Sequence, residues 1–155
     1  MHFSTLTKED LISSYKNMTT TRATIENLIA ACRDYLGYAQ EYQQYSREEI
    51  EKNRLVRLSI ERLLYLITQS ALDLSDAVIS YKAYPKPVSF RESFHTLYEH
   101  HLIPMELMDQ LANMAGFRNV IAHDYLKINY DIVYDVLHHR LDDIKQFLDI
   151  AEKLL

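Results

Sequence analysis

The chain has 155 residues, enough for about one domain whose core buries roughly 68–70% of the surface exposed by the unfolded chain. It holds two glycines, where average usage would supply roughly eleven, together with three prolines and no tryptophan. So few positions for positive φ argue against hairpins, barrels and glycine-rich phosphate loops, and leave helices. A net charge of −5 excludes a uniformly basic nucleic-acid coat, though not a small basic site. The single cysteine, Cys32, excludes an intramolecular disulfide framework and any multi-cysteine metal centre.

In chain order, Thr7 is placed to cap a first helix running to about Tyr45, with Thr19–Thr21 as a stretch where it can bend or break. Within it Ile25, Leu28, Ile29, Cys32, Tyr35 and Leu36 keep the three-and-four spacing of a buried stripe. Tyr35, Tyr38, Tyr42 and Tyr45 form a ladder that reads as a core or dimer stripe. Ser46-Arg-Glu-Glu49 has the form of a capping box and predicts a second long helix to about Tyr84. Its inward positions are Val56, Ile60, Leu63, Ile67, Ala71, Leu74, Val78 and Tyr81, and the two prolines within Lys82–Pro87 end it.

A second capping box, Ser89 with Glu92, opens a short helix from Phe90 to about His100. Pro104 suits the first position of a fourth helix, with Met105, Leu107, Met108, Leu111 and Met114 inward. Gly116 then stands where a flexible residue can relax that helix. Asn129 or Asp131 caps the last helix, whose stripe is Ile132, Val136, Leu137, Leu141, Ile144, Leu148, Ile150 and Ala151. No repeat, low-complexity tract or linker divides these elements. The expected architecture is all-α, a single antiparallel bundle over residues 1–155 with two long and about three shorter helices.

The opening MHFSTLTKED lacks a basic segment followed by an apolar one, and the most apolar run, Leu63–Thr68, is far too short to span a bilayer. A cytoplasmic protein that does not engage a membrane is expected. His95 and Glu99, at i,i+4, make only half a metal site. The adjacent pairs His100-His101 and His138-His139 point about 100° apart on a helix and do not chelate together. Neither a metal nor a cofactor is expected.

The segment Arg118–Tyr125 is unusual on local grounds. Arg118, Asn119, His123, Asp124 and Tyr125 crowd around Val120-Ile121-Ala122. Five helical residues turn the chain by about 500°, which leaves Arg118 and His123 offset by roughly 140° in an ideal helix. A long arginine side chain, or a helix end near Asp124, can recover part of that offset. These residue types suit metal-free phosphoryl chemistry. A histidine can take a proton from a ribose 2′-hydroxyl or give one to the leaving 5′-oxygen, and an arginine can grip the phosphate in two-pronged fashion. One histidine does not easily do both jobs at once, whereas a two-fold dimer supplies two histidines and two arginines.

On spacing alone, the same cluster also fits an ordinary helix end, with Arg118 paired to a nearby carboxylate and His123 as a C-terminal cap. Asn119 can orient a phosphate or His123, and Asp124 can pair with His123 or face water. Gln69 and Asp73 share a face of the second long helix, with Asp76 close by, and Asp73 is a candidate partner for Arg118. Arg47, Lys52, Arg54, Arg57 and Arg62 alternate with Glu48, Glu49, Glu51 and Glu61, which reads as a salt-bridged solvated face rather than an RNA track.

Arg118-Asn-Val-Ile-Ala-His123-Asp-Tyr125 resembles the Arg-x4-His-x-Tyr signature of the HEPN superfamily and, more narrowly, of the HepT-like toxins of HepT/MntA toxin–antitoxin systems. The likeness takes in Ala71–Ala77, Ser89–Phe94, Leu102–Leu107 and Leu111–Phe117, so that residues 55–130 are well covered and the first 45 match only as a helix. The resemblance implies a homodimer, or a higher homo-oligomer, that cuts RNA without a metal. Arg118 and His123 would be the catalytic pair in a groove between protomers. It also implies a partner, a nucleotidyltransferase antitoxin that transfers AMP from ATP to Tyr125. The added bulk and negative charge would then exclude RNA phosphate. The rival class is a non-catalytic HEPN adaptor that binds a nucleotidyltransferase and presents a nucleotide or substrate to it.

Overall fold

The computed structural model describes Thr7 and residues 21–155, and within these the chain is helical. The helix start expected after Thr7 lies outside the described residues, as do Thr19 and Thr20. Helix α1 (Arg22–Glu41) begins at Thr21, whose side-chain oxygen accepts from the Thr24 N–H at 3.2 Å, and leads into a 3-10 turn at Tyr42–Gln44. Its buried face is Ile25, Ile29, Cys32, Leu36 and Ala39. Tyr35, Tyr42 and Tyr45 pack partly buried against the core, but Tyr38 is 54% exposed, so the tyrosine ladder splits.

The Ser46 capping box forms. Ser46 Oγ accepts from the Glu49 N–H at 3.2 Å, and Glu49 accepts from the Ser46 N–H at 2.7 Å. What it opens is the short α2 (Arg47–Lys52), not the second long helix. Asn53 interrupts with extended ψ (104°), and its side chain accepts from the Leu55 and Val56 N–H groups, which starts α3 (Arg54–Tyr81) afresh. An asparagine that satisfies the next two amides offers the backbone an alternative to a continuous helix.

At 28 residues α3 is about 42 Å long and is the central rod of the bundle. It packs against α1, against α4 (Phe90–Glu99), against α5 (Met105–His123) and against α7 (Leu141–Lys153). Burial therefore reaches round most of it. Leu64, rather than the expected Leu63, is fully buried, and Leu72 and Ile79 join the core from outside the expected stripe. Its buried Ser70 and Ser75 return their hydroxyls to the helix's own Leu66 and Leu72 carbonyls at 2.7 Å, so neither hydroxyl is stranded.

Ser89 caps α4 by accepting from the Glu92 N–H, while Glu92 accepts from Val88 rather than Ser89, one residue off a reciprocal box. Phe94 of α4 meets Phe147 of α7 edge to face at 5.9 Å, both fully buried. Pro104 immediately precedes α5 instead of opening it. Leu107, Leu111 and Met114 point inward, but Met105 is exposed. Helix α5 runs unbroken through Gly116 to His123, so that glycine does not relax it, and a Cβ there would meet open space.

Asn129 caps α6 (Tyr130–Asp135) by accepting from the Asp131 N–H. The chain then widens into a π-helical turn at Val136–Arg140 before α7. That turn shifts the helical phase. Val133 is buried and the expected Ile132 is 50% exposed. An all-α bundle remains the right outline, although α5, at 19 residues, is nearly as long as α1, at 20.

Candidate active site

Arg118 lies on the last turns of α5 and reaches across to α3. Its Nε donates to Gln69 Oε1 at 2.9 Å, Nη1 donates to Asn119 Oδ1 at 2.9 Å, and Nη2 lies 3.5 Å from the Tyr65 hydroxyl. The guanidinium carbon sits 5.2 Å from the Tyr65 ring centre and 5.5 Å from that of Phe90, so aromatic faces bound the cation. Three of the five guanidinium N–H donors are thereby used, and all three acceptors are neutral. No carboxylate lies within 4.0 Å of Arg118 among the described residues, which leaves its charge available to an anion.

Asp73 does not pair with Arg118 directly. Gln69 stands between them, taking the arginine N–H on its oxygen and donating its own Nε2 to Asp73 Oδ1 at 2.8 Å. The reason is reach: Gln69 is one turn nearer along α3, and its amide can accept at one end and donate at the other. Asp76 serves a different element, accepting from the Ser93 hydroxyl at 2.7 Å and so tying α4 to α3. Tyr65 and Phe90 are the residues that sequence reasoning missed. The signal for Tyr65 was present, since 65, 69 and 73 recur at four-residue spacing and share one helix face.

His123 is the last residue of α5. It is exposed, without a hydrogen-bond partner among the described residues, and it borders a cleft of about 420 Å³ whose other walls include Leu58, Glu61, Arg62 and Tyr65. The helix does end at Asp124, but only after His123, so nothing between Arg118 and His123 removes their angular offset. Tyr65 is the link between them: its ring packs on Arg118 and also lines the His123 cleft. Asp124 forms no ion pair with His123 and instead lines a separate, largely apolar groove with Phe117, Val120 and Ile132. Tyr125 opens a 3-10 turn, Tyr125–Lys127; the direction of its side chain lies outside the described part of the structure.

The basic set of α2 and α3 divides. Arg47 pairs with Glu51 and with Asp131, and Lys52 pairs with Glu48, as a solvated face requires. Arg57 donates to the Glu51 carbonyl at 2.9 Å and lies over the Tyr130 ring. Arg54 and Arg62 have no ion pair among the described residues. His95 and Glu99 simply pair with each other, 3.4 Å apart. No group of three or more metal-binding side chains occurs among the described residues, and no described helix is long and apolar enough to cross a membrane.

Comparison with known proteins bears on the family and the fold. The chain is 30% identical to the mRNA nuclease HepT of Shewanella oneidensis over 130 residues, 84% of this chain and 92% of that protein. It is also 30% identical to the tRNA nuclease HepT of Aphanizomenon flos-aquae over 110 residues, 71% of this chain and 75% of that one. Among solved structures, the tri-AMPylated Shewanella oneidensis HEPN toxin in complex with its MNT antitoxin superposes with a TM-score of 0.77 at 29% identity, covering 83% of this chain and 96% of the toxin. Residues 25–151 match the family described as Ribonuclease HepT-like. The chain therefore belongs to the HepT-like ribonuclease family of HEPN proteins.

Proposed function

We propose that this protein is the toxin of a toxin–antitoxin pair, a ribonuclease that cuts RNA without a metal and is silenced by AMP placed on Tyr125. The observation that carries the reading is Arg118, aligned by Gln69, Asn119 and Tyr65 yet unopposed by any carboxylate among the described residues, beside the cleft bordered by His123. Arg118 holds the scissile phosphate and stabilises the charge that grows on its oxygens. His123 moves the proton. The ribose 2′-oxygen loses its proton and bonds to phosphorus, the bond from phosphorus to the 5′-oxygen breaks, and that oxygen takes up a proton. The products are a 2′,3′-cyclic phosphate and a 5′-hydroxyl.

Removing one proton while delivering another calls for two groups. A homodimer that faces two copies of His123 across one groove provides them, with Asn119 and the Gln69–Asp73 pair holding each Arg118 in place. The whole chain acts as one helical unit in the cytoplasm. The partner is a nucleotidyltransferase antitoxin, a proposal supported by the MNT complex and the AMPylated state of the Shewanella toxin. AMP on Tyr125, two residues beyond His123, would add bulk and negative charge that oppose RNA phosphate.

The test is expression of the chain alone and with a nucleotidyltransferase of this type. Wild type is expected to arrest growth and to yield RNA ends with cyclic phosphate in the presence of chelator. Arg118→Ala and His123→Ala are expected to lose at least about a hundredfold in cleavage rate. Coexpression should restore growth and add AMP mass to the peptide carrying Tyr125. Intact RNA with wild type and His123→Ala alike would sink the catalytic reading and favour the adaptor.

A further inference from the structure

We propose that Arg62 and Tyr65 form a nucleotide subsite beside the reaction centre, in which Arg62 takes the RNA phosphate next to the scissile one and the adjoining cleft takes its nucleoside. This rests on the ribonuclease reading and deepens it.

Leu58, Arg62 and Tyr65 lie on one face of α3 at four- and three-residue spacing, and all three line the cleft that His123 borders. Arg62 is exposed. Its guanidinium carbon lies 5.3 Å from the centre of the Tyr65 ring, the same ring that carries Arg118 at 5.2 Å. One aromatic ring thus holds two arginines, and neither has a carboxylate within 4.0 Å among the described residues. Arg47 and Lys52, in the same acid-rich region, are both neutralised. Two unneutralised cations on one ring repel each other and create a local positive field on an otherwise acidic molecule. Consecutive phosphates of a single RNA strand are the ligand that satisfies both.

The cleft also has a direction. Glu61, in its wall, accepts from the Tyr130 hydroxyl at 3.1 Å, and its charge turns phosphate away from that side. A fixed carboxylate is at the same time an acceptor for the amino group of a base. Leu58, 49% exposed, offers an apolar surface to the face of a base. The phosphate therefore lies toward Arg62 and the nucleoside toward Leu58 and Glu61.

The test uses the full chain and four proteins: wild type, Arg62→Ala, Arg62→Lys and, as a control for bulk charge, Arg54→Ala. Binding of a short single-stranded 2′-O-methyl RNA is followed by fluorescence anisotropy across a salt series, and cleavage of the matching ribose strand gives kcat and KM. Arg62→Ala is expected to raise Kd and KM about tenfold, with kcat within about twofold. It should also reduce the slope of log K against log salt by about 0.7, the value of one single-strand phosphate. Arg62→Lys should keep the slope and recover part of the affinity, and Arg54→Ala should match wild type. If wild type cuts RNA but Arg62→Ala keeps its KM and salt slope, the subsite is overturned while the ribonuclease reading stands. If wild type binds RNA through Arg62 and cuts none, the ribonuclease reading falls, and the subsite with it as a neighbour of a scissile phosphate, leaving Arg62 as an RNA contact alone. A wild type that neither binds nor cuts RNA overturns both.

Discussion

Arg118 illustrates how neutral neighbours can prepare a cation for an anion it has not yet met. A carboxylate partner would compete with phosphate, whereas Gln69, Asn119 and Tyr65 fix the guanidinium and leave its charge unspent. Under the proposed mechanism Gln69 is a positioning residue. Gln69→Ala is expected to lower kcat by roughly ten- to a hundredfold with little change in KM, and Gln69→Glu, which sets a carboxylate against the guanidinium and cannot donate to Asp73, to leave that loss unrestored. Single-turnover kinetics with thermal melting separates this from unfolding, and an unchanged kcat in Gln69→Ala would remove the role. Cys32 shows the opposite case: buried beside the Ile67 carbonyl, its thiol is pushed up to about 12 by desolvation and so serves as packing rather than as a nucleophile.

Among the elements, two departures from regular helix organise the chain. Asn53 divides what looked like one helix, and its cost is small because the side chain satisfies the two amides it frees. The π-helical turn at Val136–Arg140 is held from outside. The Gln43 side-chain amide donates to the Leu137 carbonyl at 2.8 Å, and the His138 ring sits between the Tyr134 and Gln43 carbonyls at 2.9 and 2.8 Å, stacked on Tyr134. A widened turn leaves carbonyls poorly served by its own ladder, and the 3-10 turn after α1 supplies a donor. Gln43→Ala is expected to cost about 1–2 kcal/mol of unfolding free energy, read by urea denaturation. A midpoint unchanged from wild type would mean that the turn is stable by itself.

At the scale of the whole molecule, a single chain presents one His123 for two proton transfers. The composite-site reading makes catalysis a property of the assembly, so activity per chain should fall on dilution through the dissociation range of the dimer. Sedimentation velocity over the same concentrations provides the comparison. Constant activity per chain across that range would remove the composite site. The antiparallel packing of α5 along α3 suits such an enzyme, because it sets Arg118 against the middle of the bundle's central rod at Tyr65 and Gln69, and His123 nearer its start, in an open cleft rather than a closed cavity.

The helical class and most element starts were legible in the residues themselves, whereas Arg118 and His123 stood out as a proposed pair only through the resemblance of their motif. Glycine poverty, three-and-four spacing and caps such as Ser46 and Ser89 act within a turn or two of the chain, and a sequence displays such neighbours directly. The break at Asn53 and the phase shift that buries Val133 instead of Ile132 were not legible, because both turn on small energy differences between competing local hydrogen bonds that packing decides. Least legible was the setting of Arg118. Gln69 stands 49 residues away and Tyr65 stands 53 residues away. Only the docking of α5 against α3 could choose them over Asp73, through the reach of an arginine and the one-turn spacing of a helix face.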